Sequence, residues 1–214
     1  MSEKGKKGEK QKRQVQYNGA GSIWYDLLQN VVITLVFFIV VFVFFGRICG
    51  VQGQSMEDTL HDGDRLLISN LFYTPDQGDI VVLRKDTFRA DPIVKRVVAV
   101  AGQRVRIDFV EGTVYVDDEA VFEEYIKERT YRPLDFTEEV KVPEGCVFVM
   151  GDNRNRSNDS RDADIGFVDT RYIIGRAVLR VYPFEDIGIL RSPQIMSDAY
   201  YAAKAAEAEA EASR

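Results

Sequence analysis

The chain has 214 residues, of which 45% are hydrophobic and 29% are charged, a composition that allows one globular domain and excludes wholesale disorder. Its net charge of −6 is unevenly distributed, because residues 1–13 carry about +4 and the remaining residues about −10. A basic N-terminal segment followed by an acidic remainder of the chain argues against a nucleic-acid-binding domain, so no nucleic-acid partner is expected.

The first predicted element is a transmembrane helix within residues 23–47. The twenty residues from Leu27 to Gly46 contain no charge, and a helix of this length spans roughly the 30 Å hydrocarbon core of a bilayer. A cleavable secretory signal has a shorter apolar region, and a buried core helix would show a polar face. Because six basic residues precede the run and only Arg47 directly follows it, we expect a single pass through the cell membrane with a cytoplasmic N-terminus.

Beyond Gly50 the pattern changes to short β-type segments separated by Gly, Pro and Asp turns, which predicts a mainly β, extracytoplasmic domain over residues 48–192. Val114–Val116 followed by Asp117 and Asp118 favours a hairpin. The predicted strands are Arg65–Ser69, Asp79–Arg84, Ile93–Val100, Arg104–Phe109, Thr113–Val116, Val147–Met150 and Gly175–Tyr182.

Three segments are more polar than the predicted strands and span. Residues 1–22 are rich in lysine and are expected to form a basic cytoplasmic tail. Residues 119–142 are irregular, and we interpret them as a small cap inserted between two parts of the sheet. Residues 193–214 are rich in alanine and glutamate and predict a C-terminal tail.

Few residue types for hydrolytic chemistry are available in this chain. It has one histidine, His61, and two cysteines, Cys49 and Cys146, so a zinc or other transition-metal site is not expected. We interpret His61 as a turn residue and the cysteines as free, partly buried thiols rather than a disulfide. If the chain is a hydrolase, lysine is therefore the expected base.

Ser55 and Lys95 are the candidate catalytic pair. Serine becomes an effective nucleophile only when a base removes its proton, and a lysine can do this only if its pKa falls far below about 10.4. Burial among apolar groups lowers the pKa of a lysine, and by strand alternation Lys95 shares a face with Ile93 and Val97. Taken alone, the sequence around Lys95 is more typical of a charged side chain that points from a strand into solvent.

Four sequence boxes behind the predicted span make this pair specific, because in their order and spacing they resemble those of the bacterial type I signal peptidases. The boxes are Ser55–Leu60, Gly78–Val82, Lys95–Gly102 and Gly151–Arg161. The resemblance implies that Ser55 is the acylated nucleophile, that Lys95 is the neutral general base, and that Ser157 holds the lysine amine by a hydrogen bond. It also implies a β-rich catalytic domain that uses no cofactor and no metal.

The resemblance implies supporting residues as well. The backbone N–H of Ser55 is expected to bind the oxyanion, while Gly53 leaves the second donor unidentified. The residues expected to form ion pairs that brace the loops are Arg96, Asp152, Asp159 and Arg161. The side chains expected to line an alanine-sized substrate pocket, each equally explicable as core, are Val51, Met56, Leu60 and Val94.

Asp58 departs from the family pattern, which usually has proline at this position. Glu57 and Asp58 therefore add negative charge close to the nucleophile. If that charge reached Lys95, it would raise the pKa of the amine and slow catalysis at neutral pH. We expect Asp58 to point to solvent.

The leading hypothesis is a membrane-bound serine endopeptidase that removes N-terminal signal peptides from exported preproteins after an Ala-x-Ala-like site. Its partners would be preprotein signal peptides and the lipid bilayer. One alternative is a catalytically silent, membrane-anchored binding module. Another is a self-cleaving Ser/Lys regulator similar to the SOS-response repressors, but the short segment before the span leaves no room for the DNA-binding domain that such a regulator needs.

Overall fold

The computed structural model describes residues 20–45, 47–85, 91–202 and 206, and the chain divides into two compact units after Val41. Residues 20–41 of helix α1 (Ala20–Phe45) form the described part of the first unit. Within the part of the chain that the structure describes, no helix has the length and apolarity needed to cross a membrane. Parts of all four predicted segments lie outside the described residues, namely residues 1–19, 46, 86–90, 203–205 and 207–214, together with the side chains of residues 20–22 and 40–45.

The second unit is built from antiparallel strands, twelve of them within the described residues, which confirms the mainly β prediction. They are β1 (Arg47–Gly50), β2 (Arg65–Ser69), β3 (Ile80–Leu83), β4 (Ile93–Val100), β5 (Arg104–Asp108), β6 (Thr113–Val116), β7 (Glu119–Ala120), β8 (Val140–Lys141), β9 (Cys146–Met150), β10 (Val168–Asp169), β11 (Ile173–Tyr182) and β12 (Gly188–Ile189).

The alternation of apolar residues predicts seven of these strands, each within two residues of its observed bounds. The strands that it misses are β1, β7, β8, β10 and β12. Four of them have only two residues, which is too short for a period-two pattern to be visible. The remaining one, β1, directly follows the apolar run, so its signal merges with that of the helix.

A large sheet holds the candidate site, with strand order β1-β2-β11-β3-β4-β9-β10 and β12 paired to β11. Strands β3, β4 and β9 are buried almost throughout, which explains their near-continuous apolar sequences. The antiparallel pairing of β4 with β9 places Arg96 opposite Met150. The chain therefore leaves β9, at Gly151, beside the middle of β4, where Lys95 lies.

A smaller sheet, with order β7-β6-β5-β8, is inserted in the chain between the neighbouring strands β4 and β9. The insertion covers residues 101–145, so the predicted cap at 119–142 is its second half. The expected hairpin is confirmed by the pairing of β6 with β7. Its two turn residues, Asp117 and Asp118, have φ values of 51° and 68°, which match a two-residue turn of the type that suits strand twist.

The first part of the predicted C-terminal tail is packed into the core of the second unit. Ile195 and Met196 are fully buried in an apolar cluster that the small sheet forms with β4 and β9 of the large sheet. The Phe122 N–H donates a hydrogen bond to the Ile195 carbonyl at 2.7 Å, and Ser192 Oγ donates to the buried carboxylate of Asp79. This segment therefore links the small sheet to the start of β3 in the large sheet.

Candidate active site

Ser55 lies on a loop, residues 51–64, that joins the paired strands β1 and β2. The loop is anchored by Met56 and Leu60, whose side chains are buried in the core of the large sheet. Gly53 has a φ of 86°, a left-handed conformation that favours glycine. The anchors and this turn leave the Ser55 side chain half-buried at the edge of a cavity.

Lys95 meets Ser55 across forty residues of sequence, and its Nζ lies 2.7 Å from Ser55 Oγ. The lysine side chain is almost fully buried, with 3% of its surface exposed, because β4 is a central strand of the large sheet. A distance of 2.7 Å is within the reach that proton transfer between a nucleophile and its base requires. The structure thus brings together the two predicted catalytic residues.

Ser157 is fully buried and lies next to Gly151. A Cβ atom added at Gly151 would be 2.3 Å from Ser157 Oγ and 2.4 Å from the Ser55 carbonyl oxygen, so only glycine allows this close approach. Ser157 Oγ donates a long hydrogen bond to the Asn158 carbonyl at 3.4 Å. The bond between Ser157 and the lysine amine that the resemblance implies stays a prediction.

Asp152 connects β4 with the nucleophile loop. Its carboxylate accepts hydrogen bonds from Arg96 Nε at 2.9 Å and Arg96 Nη2 at 2.7 Å, a bidentate pair that is buried on both sides. The same carboxylate accepts from Thr59 Oγ1 at 2.6 Å. Arg96 is adjacent to Lys95, and Thr59 lies on the same loop as Ser55. Asp152 therefore fixes the position of the Ser55 loop relative to Lys95.

Asp159 and Arg161 form a second buried bidentate ion pair, with two N–O distances of 2.8 Å. The Asp159 carboxylate also accepts from the Gly151 N–H at 3.0 Å. Burial by itself would raise the pKa of Asp159, but the hydrogen bond and charge of Arg161 outweigh burial and hold this pKa below its usual range. Asp159 therefore stays ionised, with Arg161 as its direct counter-ion.

The inserted segment contributes alternate residues to the site, a feature that the sequence does not reveal. Glu123 forms an ion pair with the fully buried Arg154 of the catalytic loop. The ring of Tyr125 packs against the Arg96 guanidinium, whose central carbon is 4.1 Å from the ring centroid. These contacts join the insertion to both β4 and the loop after β9.

Lys127, the next alternate residue, pairs with the unusual acidic residues beside the nucleophile. Its Nζ is 3.1 Å from Glu57 Oε2 and 3.4 Å from Asp58 Oδ1. Hydrogen bonds first to Glu57 and then to Asp58 raise the pKa of Lys127. Asp58 is 69% exposed, so its side chain points to solvent as expected and its charge is balanced by Lys127.

A cavity of about 220 Å³ opens beside Ser55 and Lys95. Three of the predicted pocket residues, Val51, Met56 and Val94, line it. Leu60 does not line this cavity and is buried in the core cluster with the other three. The polar part of the wall includes Gln54, Arg156 and Asn158.

The remaining candidate residues lie away from this pair. His61 is exposed and lies in a turn, as the sequence indicates. Its backbone N–H donates a hydrogen bond to Asp64 Oδ2 at 3.0 Å. Cys49 and Cys146 are free and half-buried, which confirms the prediction of free thiols. Among the described residues, no group of three or more His, Cys, Asp or Glu side chains is arranged to hold a metal ion.

Asn153 is a further residue in contact with the nucleophile loop, and sequence reasoning misses it. Its N–H donates to the Ser55 carbonyl at 3.0 Å, and its Nδ2 donates to the Gln54 carbonyl at 3.0 Å. Asn153, Thr59 and Gly151 all lie inside the four sequence boxes, and this position is the signal that could have identified them. Their contacts depend on the pairing of β4 with β9, which the sequence pattern does not specify.

The sequence is similar to a protein family and to individual members of it. The profile of the family described as "Signal peptidase, peptidase S26" matches residues 24–182. A probable signal peptidase I-1 from Synechocystis sp. is 39% identical over 152 residues, which cover 66% of this chain and 74% of the relative. Signal peptidase I from Bacillus licheniformis is 33% identical over 174 residues, 76% of this chain and 91% of the relative. A crystal structure of a signal peptidase I from Enterococcus faecalis is 28% identical, covers 49% of this chain and 97% of that one, and has a TM-score of 0.41.

Proposed function

The chain belongs to the signal peptidase family, peptidase S26, and we propose that this type I signal peptidase uses Ser55 as its nucleophile and Lys95 as its general base. It is a serine peptidase that removes signal peptides from preproteins. The observation that carries the residue assignment is the 2.7 Å distance between Lys95 Nζ and Ser55 Oγ. Because burial favours the neutral amine over the ammonium ion, Lys95 can accept the hydroxyl proton.

In the proposed mechanism, Ser55 Oγ attacks the carbonyl of the residue before the cut while Lys95 Nζ takes the serine proton. The Ser55 N–H stabilises the oxyanion. The lysine then gives its proton to the leaving amine, which releases the mature protein and leaves the signal peptide as an ester of Ser55. A water molecule activated by Lys95 hydrolyses this ester.

Ser157 is the proposed orienting group for the lysine amine. A hydroxyl can hold an amine by a hydrogen bond without adding a negative charge, whereas a carboxylate at this position would favour the ammonium form. The close contacts of Gly151 with both Ser157 and the Ser55 backbone support this assignment, because they place the two serines in one small region. The ion pairs of Arg96 with Asp152 and of Arg161 with Asp159 are proposed to brace the loops around this region.

The proposed substrate is a preprotein with small residues, typically alanine, at the first and third positions before the cut. Val51, Met56 and Val94 narrow the cavity beside Ser55, which favours alanine-sized side chains. We propose that the substrate binds as an added strand, so that its main chain supplies hydrogen bonds and its alternate side chains enter the pocket.

Membrane attachment through residues 23–47 is proposed from the sequence, with residues 1–22 in the cytoplasm and the catalytic domain, residues 48–192, outside it. The support is the uncharged run from Leu27 to Gly46 and the basic residues that precede it. An anchor of this kind confines enzyme and substrate to one bilayer, which raises their effective concentration.

The catalytic assignment is tested by Lys95→Ala, with cleavage of a quenched peptide that ends its signal half in Ala-x-Ala measured in detergent. We expect kcat to fall at least about 10³-fold with the fold retained, because the serine loses its base. Lys141→Ala, which removes an exposed lysine on β8, is the matched control and should keep full turnover. Turnover that survives Lys95→Ala would exclude this mechanism and make His61 the base to test.

A further inference from the structure

We propose that Arg156 is a specificity-determining residue that favours substrates with an acidic side chain next to the cleavage site. This inference rests on the function proposed above. It starts from a contrast within one loop, residues 151–161, which carries three arginines. Arg154 and Arg161 are fully buried in ion pairs, whereas Arg156 is exposed.

The position of Arg156 places it at the catalytic cavity. A single 3-10 turn, Arg154–Arg156, buries its first residue and exposes its last, and Arg156 lines the same cavity as Ser55 and Lys95. Among the described residues, its side chain makes one polar contact, a hydrogen bond from Nη1 to Gln54 Oε1 that is long at 3.4 Å. Most of the guanidinium donors therefore remain available to a ligand.

The charge of the cavity wall favours an anionic partner. In the described part of the chain, no Asp or Glu side chain lines this cavity, and none lies within ion-pair distance of Arg156. With Lys95 neutral, as proposed, Arg156 supplies the permanent charge of the wall. The chain beyond residue 13 carries about −10, so Arg156 is a local positive site on an acidic protein. A carboxylate complements this site, and a lysine near the cut would be disfavoured.

Strand alternation indicates where the carboxylate belongs. In an extended substrate, the first and third residues before the cut point to one face, which the proposed function assigns to the apolar pocket of Val51, Met56 and Val94. The second residue before the cut and the first residue after it point away from this pocket, so these two positions can carry a longer acidic side chain, which the exposed Arg156 can meet at the edge of the cavity. We therefore place the preferred Asp or Glu at one of these two positions.

The test compares quenched peptides that keep alanine at the first and third positions before the cut and carry Asp, Asn or Lys at either of the two outward positions. For the intact protein, kcat/KM should be about two- to five-fold higher with Asp than with Asn at one of them, the range of an exposed ion pair. Arg156→Gln should bring this ratio to about one, and Arg156→Glu should reverse it in favour of Lys. Arg106→Gln, an exposed arginine of the small sheet, is the matched control and should preserve the ratio.

Added salt should reduce the Asp preference of the intact protein, because exposed charges are screened. A ratio of Asp to Asn that is the same in the intact protein and in Arg156→Gln at both positions would overturn the inference, and so would a failure of Arg156→Glu to favour Lys. Failure of the proposed function has a different signature, since the intact protein would then cleave the neutral Asn peptides no better than a Ser55→Ala variant.

Discussion

Two ion pairs beside the candidate site are buried, whereas an ion pair on the small sheet is exposed. Arg96, Asp152, Asp159 and Arg161 are all fully buried. The Arg104 side chain of β5 reaches Asp118 at 2.7 Å, but both of these side chains are more than half exposed. Buried pairs are costly to break and exposed pairs contribute little, so charge holds the catalytic loops in place, while apolar packing holds the small sheet together.

The largest expected effect on stability comes from removing Arg161 from its buried ion pair with Asp159. Arg161→Ala leaves the Asp159 carboxylate buried without its counter-ion and also removes hydrogen bonds to the Arg132 and Arg154 carbonyls. We expect a loss of about 3–5 kcal/mol in the free energy of unfolding, measured by urea denaturation.

Arg104→Ala is the matched comparison on the small sheet. It removes an exposed arginine from an exposed pair, and its expected cost is below about 1 kcal/mol. If both substitutions destabilised the protein by the same amount, burial would not distinguish the two regions.

Gly151→Ala tests whether the close packing of the catalytic loop is needed for activity. The added methyl group would meet Ser157 Oγ and the Ser55 carbonyl oxygen at distances below 2.5 Å, so the loop must shift away from Ser55. A displacement of about 1 Å at reacting groups can reduce the rate about 10²-fold, which we expect in kcat/KM for the Ala-x-Ala peptide.

Gly188→Ala is the control for this substitution, because the methyl group there meets only the Asp186 carbonyl, at an ordinary distance of 3.8 Å. Its kcat/KM should match that of the unchanged protein. Equal activities of the Gly151→Ala variant and the control would show that the close approach of Ser55 and Ser157 is not needed for catalysis.

The smallest expected effect is on acid stability. The pKa of Asp159 is held below its usual range in the folded protein, so its contribution to stability is present above the unfolded pKa of about 3.9 and is lost as the pH falls towards the folded value. Urea denaturation at a series of pH values below about 5 should show a shallower decline for Asp159→Asn than for the unchanged protein. A slope that is the same with and without the Asp159 carboxylate would contradict this account.

The sequence by itself determined the mainly β class, seven of the strands and the candidate pair of Ser55 and Lys95. Period-two alternation is a local property, so it predicts strands such as β4 directly. The boxes predicted the pair because their order and spacing carry information that single residues lack. The sequence pattern did not predict two-residue strands such as β7, since they are too short to show a period of two residues.

Only the tertiary structure decided which residues outside the boxes reach the site. Lys127 balances Glu57 and Asp58, and Tyr125 packs on Arg96, because the inserted small sheet folds back beside β4. Ile195, in a segment predicted as a tail, is buried for the same kind of reason. These contacts join residues far apart in the chain, and no local pattern encodes them, since they depend on which strands pair and on what each strand then places beside its neighbours.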